Sequence, residues 1–432
     1  MSYYILPKIN IEYGIQPCIY DSKYTLSPYI SSSLVQYMAD SHHILDQQMQ
    51  MDVNVQSNIT SKMLNQVVHN YDFLFCHVSG YDMSVSSVKT KTPLYFDITE
   101  IYQTIKIYEK LPEHDIHMLF CGKNSSSAMD AIADIRCDNT DTTMILDQYK
   151  SHTNLHMLHA NDMHYYYDFK NSEKLVSKCH FIYFEESEKV FSDVNDYVLY
   201  IIKSLLVVCR YQAKGGCFIV KINSILYKPI IDLIYIITSM YEKTYIMKPN
   251  ASNIILDERY IVCKSFLTCS EDMYKSLEAI YRSLYESKSD IIVSSILSNK
   301  LYYYFLVKLE ESNIIIGQQK LDAYGQLINL LKSKNKIDKI ELLQKHNIQK
   351  CVYWCEKYKV PYNKITDRAN AFVSSAENDE SVPPIDIDID ELFYSYMDKH
   401  YGDTDNMSDS DNESCDNDLI TSERLNSYIK MQ

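Results

Sequence analysis

The side chains able to do chemistry separate by type and spacing. Four histidines, at 152, 156, 159 and 164, are close enough to suggest metal ligation. They flank a short apolar segment, Leu155–Leu158, that reads as a strand and not as one face of a helix, so surface histidines and no metal site are expected. Cys351 and Cys355 stand at the i, i+4 spacing of one helical face. Structural zinc needs four ligands, and no second pair or nearby histidine supplies them. Other cysteines among the 12, such as Cys121, Cys209, Cys217 and Cys263, sit in apolar runs and read as buried thiols of a reducing compartment. No Ser/His/Asp arrangement stands out. Tyrosines 165–167 could stack on bases, but in a chain with 39 tyrosines ordinary packing is the expectation. Strand ends carry the more telling acids. Asp147 ends the apolar run 142–146, Asp162 follows 155–158, and Glu185 ends 180–184. A carboxylate there can accept hydrogen bonds from a ligand, or simply cap a turn or helix.

The elements that position these acids alternate in type. Between about Pro93 and Phe266, apolar strands (117–121, 142–146, 155–158, 180–184, 217–222, 244–247, 259–263) alternate with helical stripes (96–108, 125–135, 194–211, 229–241). That pattern implies a parallel α/β sheet covered on both faces, with the last two strands as an antiparallel hairpin at one end. Gly215–Gly216 is expected to turn the chain into strand 217–222, and serines 125–127 to cap the helix they begin. Before this region, 32–51 reads as helix and 71–78 as strand. After it, 269–366 reads as a helical domain. The expected division is 1–92, 93–268, 269–366 and a tail from 367, because 432 residues exceed what one core usually serves.

Composition narrows the function classes. Glycine is scarce, 8 in 432, and neither G-x-G-x-x-G nor G-x-x-x-x-G-K-[ST] occurs. A standard dinucleotide fold or P-loop NTPase is therefore not expected. The longest apolar stretch, Val198–Cys209, is broken by Lys203, and no membrane span or signal peptide is expected. The formal charge of −15 is unevenly spread: residues 377–432 hold 16 acids and 3 bases. That segment reads as a solvated, disordered tail. It could also serve a protein partner through Tyr394–Met397, or be phosphorylated at Ser408, Ser410 and Ser414. The nearly neutral body neither demands nor forbids a nucleic-acid partner.

One run of about fifty residues carries a family likeness. Lys214-Gly215-Gly216 leads into a strand bearing Lys221. Lys248-Pro249-Asn250-Ala251-Ser252 follows, and then Glu258-Arg259-Tyr260-Ile261-Val262. This run resembles the second half of the FtsJ-like ribose 2′-O-methyltransferases, viral cap methyltransferases among them. The resemblance implies a seven-stranded, Rossmann-like sheet that binds S-adenosylmethionine (SAM), with flanking N-terminal and helical C-terminal regions. It implies SAM contacts at Gly122, Asp147 and Asp162. It implies a catalytic group in which Lys221 and Glu258 match, and Glu185 stands in for an aspartate. The fourth member, a lysine, would sit in the segment Phe96-Asp97-Ile98-Thr99-Glu100-Ile101, where this chain has Asp97. Around Gly122 the family's glycine-rich loop is replaced by Lys123-Asn124-Ser125-Ser126-Ser127.

Two functions follow from the resemblance. The first is RNA ribose 2′-O-methylation, on capped mRNA or rRNA, in the cytoplasm. Abundant Tyr, Ile, Asn and Lys beside little Gly, Ala, Pro or Arg point to A/T-rich codons, and with the viral members of the resembled family this composition suggests a large DNA virus. The second is a catalytically inactive methyltransferase fold serving as scaffold or RNA-binding subunit. The difference turns on charge. Lys221 takes a proton from a hydroxyl only when neutral, and a neighbouring cation would help neutralise it. Asp97, Glu185 and Glu258 would instead keep it charged.

Overall fold

A computed structural model describes residues 2–364, apart from 11–14, 23–25, 55–60, 82, 139, 147–177, 186–192, 287–291 and 334–335. Asp147, Asp162, the strand expected at 155–158, histidines 152–164, tyrosines 165–167 and the acidic tail lie outside the described residues. Strands β1 (Ser2–Leu6), β2 (Tyr20–Ser22), β3 (His117–Cys121), β4 (Thr142–Leu146), β5 (Cys179–Phe184), β6 (Gln212–Ile222), β7 (Tyr241–Lys248), β8 (Arg259–Phe266) and β9 (Ile292–Ser295) form two sheets. The larger has seven strands in the order β1-β7-β8-β6-β5-β3-β4, and β2 pairs with β9 in the smaller.

Strands β4, β3, β5 and β6 run parallel, while β8 lies antiparallel between β6 and β7. The expected hairpin is thus present, with its second strand inside. Its outer edge is extended by β1, where Ser2 faces Lys248 across an antiparallel pair. The short run at residues 2–6 carries no turn or alternation signal that would announce a sheet edge.

Alternate residues of each strand enter two cores. Leu119, Cys121, Ile182, Phe184, Phe218 and Val220 pack with helices α5 (Val194–Tyr211), α6 (Lys228–Ser239), α7 (Glu271–Glu286) and the first half of α8 (Tyr303–Lys332). Met118, Phe120, Phe181, Tyr183, Ile219 and Val262 pack with α3 (Leu94–Thr104), α4 (Ser125–Arg136) and α9 (Lys336–Lys357). Burial on both faces explains why β5, β6 and β8 read as nearly continuous apolar runs. Asp193 caps α5 by accepting the Asp196 N–H at 2.8 Å. Two further helices, α1 (Ser32–Asn54) and α2 (Ser61–Val68), precede α3. The architecture is the α/β, Rossmann-like sheet with flanking helices that the sequence implied.

Three local expectations need correction. Residues 71–78 form no strand; Asp72–Leu74 is a 3₁₀ turn, because Phe73 and Leu74 are both buried and adjacent, which a one-faced strand would not allow. Gly215–Gly216 lies inside β6, not before it. Pairing jumps from Cys179–Gln212 to Phe181–Cys217, so residues 213–216 bulge, with Gly215 at φ +79°. Ser125 does not cap α4; its hydroxyl donates to the Gly122 carbonyl at 2.6 Å.

Candidate active site

Strand directions put the ends of β3, β5, β6 and β7 and the start of β8 on one edge of the sheet. In open α/β sheets the ligand crevice forms at that edge, where the strand order reverses. Here the reversal falls between β3 and β5, so Gly122 and Glu185 flank it. Gly122 adopts φ +123°, and a Cβ on it would lie 2.3 Å from the Glu185 carbonyl oxygen. Only glycine fits this approach. The Glu185 N–H donates to the Cys121 carbonyl at 2.9 Å, which fixes the carboxylate at the strand end.

Lys221 is the last residue but one of β6, and its Nζ lies 2.9 Å from Oε1 of Glu258, just before β8. Lys221 and Tyr260 face each other across the β6–β8 pairing. The Tyr260 hydroxyl donates to Oδ2 of Asp97 at 2.7 Å. The Tyr183 hydroxyl donates to Oε2 of Glu185 at 3.2 Å. Asp97 and Glu185 are buried, and the second oxygen of each, Oδ1 and Oε1, has no hydrogen-bond partner. Four of the expected site residues, Lys221, Glu258, Glu185 and Asp97, therefore share one electrostatic cluster. Gly122 adjoins it through Glu185.

The charges follow from burial and proximity. Burial alone would push Lys221 towards neutrality, but Glu258, Glu185 and Asp97 outweigh it and hold the ammonium above the ordinary lysine range. Burial raises the Asp97 carboxyl to about 6, against the pull of Tyr260, Lys221 and Lys248. Burial raises Glu185 to about 7, against Lys221 and Tyr183. The cluster holds one firm cation and two carboxyls that exchange protons near neutral pH.

A second group braces this edge. Buried Glu100 accepts the N–H of Asn250 and of Ala251, both at 3.0 Å, and the Trp354 indole N–H at 2.9 Å. The segments 96–101 and 248–252, separate in sequence, are thereby clamped together. Lys248 Nζ donates to the carbonyls of Asn253, Leu256 and Glu258 at 2.7–2.8 Å. Burial pulls Lys248 down to about 7, with Asp97 opposing. Three acceptors for three protons describe an ammonium, so the charged form is the one this geometry holds.

Sequence reasoning missed Tyr183 and Tyr260 as partners. Tyr183 stands two residues from its acceptor Glu185, and that spacing along a strand was the available signal, whereas Tyr260 meets Asp97 from 163 positions away and had none. Trp354 had no local signal, since 254 positions separate it from Glu100. Cys351 and Cys355 lie on the buried face of α9, in the core it covers.

No family model matches the chain. Over 130 residues it is 22% identical to the cap-specific mRNA (nucleoside-2′-O-)-methyltransferase 1 of Trypanosoma brucei brucei, covering 29% of this chain and 35% of that one. Over 53 residues it is 38% identical to the protein of the same name from Trypanosoma cruzi, covering 12% and 15%. The chain thus matches about a third of one relative's length and less of the other's. A solved Plasmodium falciparum protein, assigned as a ribosomal RNA methyltransferase, is 16% identical. That alignment covers 41% of this chain and 100% of the other, with a TM-score of 0.31.

Proposed function

We propose that this chain is a SAM-dependent RNA methyltransferase acting on a ribose 2′-hydroxyl, with capped mRNA as its substrate class. The observation that carries this reading is the Lys221–Glu258 pair at 2.9 Å on the ligand-binding edge, beside Glu185 and Asp97. The partial similarity to two cap-specific methyltransferases supports it. The resemblance to viral cap methyltransferases, together with the A/T-biased composition, motivates a large DNA virus replicating in cytoplasm as the source.

SAM supplies an electrophilic methyl group. Gly122, where a Cβ would fill the close approach to Glu185, and Glu185, with its orphaned buried Oε1, are the described residues that suit its place. Asp147 and Asp162 would complete the set. The Lys221 ammonium would stabilise negative charge developing on the acceptor oxygen, since fixed charge in a dry site acts most strongly there. Being protonated, it is not the base. The carboxyls at about 6 and about 7, Asp97 and Glu185, have the proton affinity suited to accepting the hydroxyl proton at neutral pH.

The same charge distribution supports a second reading, an inactive subunit that keeps the fold for scaffolding or RNA binding. The observation favouring it is Asp97, an acid in the place where the resemblance implies a cation. Calorimetry with SAM on the full chain separates the two. A working site binds in the micromolar range, about −8 kcal/mol. Absence of binding at millimolar SAM would remove the enzyme reading.

A further inference from the structure

We propose that Cys209 and Cys269 are a modification site, joined in a reversible disulfide when a peroxide reaches them, at the sheet edge opposite the candidate active site. The proposal does not depend on the methyltransferase reading. The topology brings the two residues together. Strands β6 and β8 are antiparallel neighbours, so the chain enters β6 and leaves β8 at the same edge. Cys209 lies in the last turn of α5, just before β6, and Cys269 follows β8, just before α7. Their thiols hydrogen-bond to each other, and both side chains pack against the same apolar core. Both are half-buried, so a small oxidant reaches them. Cys209 was expected among the buried thiols; its place at the end of α5 partly uncovers it.

The surroundings divide the two sulfurs by role. Cys269 directly precedes Ser270, which caps α7: the Met273 N–H donates to Ser270 Oγ at 3.1 Å, and the Tyr274 N–H to the Ser270 carbonyl at 3.0 Å. A thiolate is favoured at a helix N-terminus and beside a cation. The cation is Lys178, whose Nζ donates at 2.6 Å to the carbonyl of Arg210, the residue after Cys209. The hydrogen bond from Cys209 and the charge of Lys178 pull the Cys269 thiol below the ordinary range, against burial and Glu271. Burial and the hydrogen bond to Cys269 hold the Cys209 thiol well above that range. Cys269 is therefore the attacking sulfur and Cys209 the resolving one. Burial raises the neighbouring strand thiols, Cys121, Cys217 and Cys263, and keeps them protonated.

The chemistry balances with hydrogen peroxide as oxidant. The Cys269 thiolate attacks one peroxide oxygen and the O–O bond breaks. The leaving hydroxide takes a proton to become water, and Cys269 is left as a sulfenic acid. The Cys209 sulfur then attacks the Cys269 sulfur, the S–O bond breaks, and hydroxide departs as water with the Cys209 proton. Two thiols and one peroxide become one disulfide and two waters, and a dithiol reductant reverses the change. The bond closes a loop over residues 210–268, which hold Lys221, Lys248 and Glu258. Such a cross-link restricts the unfolded chain, so oxidation stabilises this half of the sheet without touching the site itself.

The test is peptide mapping by mass spectrometry, without reduction, of the full chain treated with hydrogen peroxide, with thermal melts alongside. A linked Cys209–Cys269 peptide pair should form, and the melting temperature should rise until dithiothreitol restores it. Cys269→Ser should form no such link. Cys209→Ser should stop at the sulfenic acid, trapped on Cys269 by dimedone. In the untreated wild-type chain, which needs no variant, Cys269 should react with iodoacetamide about tenfold faster than the exposed Cys18 and Cys137. No linked pair, a link from either cysteine to Cys217 or Cys263 instead, labelling of Cys18 or Cys137 as fast as Cys269, or a melting temperature unmoved by oxidation would each overturn the proposal.

Discussion

Two buried charged regions lie side by side on one sheet edge and are finished differently. In the brace, every charge is answered: Glu100 accepts three N–H groups and Lys248 donates to three carbonyls. In the cluster, Lys221 has Glu258, but Asp97 and Glu185 each keep a buried oxygen with no partner. Buried polar groups are normally satisfied, and exceptions mark places where something else binds or reacts. The brace is built for stability. The cluster holds unsatisfied groups against the cost of burying them, as reactive sites do.

The largest effect that could break this contrast is in the brace. Glu100→Ala strands two backbone N–H groups and the Trp354 indole, and should cost on the order of 3–5 kcal/mol. Urea unfolding measures it, and a loss below about 1 kcal/mol would erase the distinction between the regions. Gly122→Ala comes next, at about 2–4 kcal/mol, because it combines a positive φ with a clash against Glu185 backbone. A melting temperature equal to wild type would mean that the Gly122–Glu185 approach is not obligatory.

The cluster should reveal itself through pH. Asp97 and Glu185 have folded-state pKa values raised to about 6 and about 7. Between pH 4 and 7 the folded chain therefore binds more protons than the unfolded one at these sites. Their contribution to stability is greatest in acid and is lost as pH rises through that window. Replacing both, by Asp97→Asn and Glu185→Gln, should flatten the profile between pH 5 and 7.5 by on the order of 2 kcal/mol. Parallel profiles for wild type and double variant would show that the two carboxyls titrate normally. The smallest effect sharpens the brace: Trp354→Phe removes one of three donors from Glu100 and should cost about 1 kcal/mol. Chemical denaturation followed by circular dichroism reads it.

Much of the parallel half was legible because its strands are covered on both faces and read as compact apolar runs: 117–121, 180–184 and 217–222 all fall within observed strands. The helices at 125–136 and 194–211 were legible from their stripes. The edge strand Ser2–Leu6 was not, since its partner lies some 240 residues away and nothing local marks the pairing. Residues 71–78 misled because aromatic, apolar runs favour strands by propensity, while packing beneath α9 made a turn of them. At the candidate site, motif order singled out Lys221, Glu258, Glu185 and Asp97, which the structure brings together in one cluster. The clamp from Glu100 to Trp354 was invisible, because a single long-range hydrogen bond leaves no periodic trace.

The central claim is that the charged Lys221 serves a methyl acceptor on this edge. The direct measurement is transfer of labelled methyl from SAM to capped RNA by the full chain and by Lys221→Ala, with SAM affinity measured alongside. The account predicts transfer by wild type and its abolition in Lys221→Ala, with SAM affinity nearly unchanged, since Lys221 addresses the acceptor oxygen. Equal transfer by both proteins would contradict it.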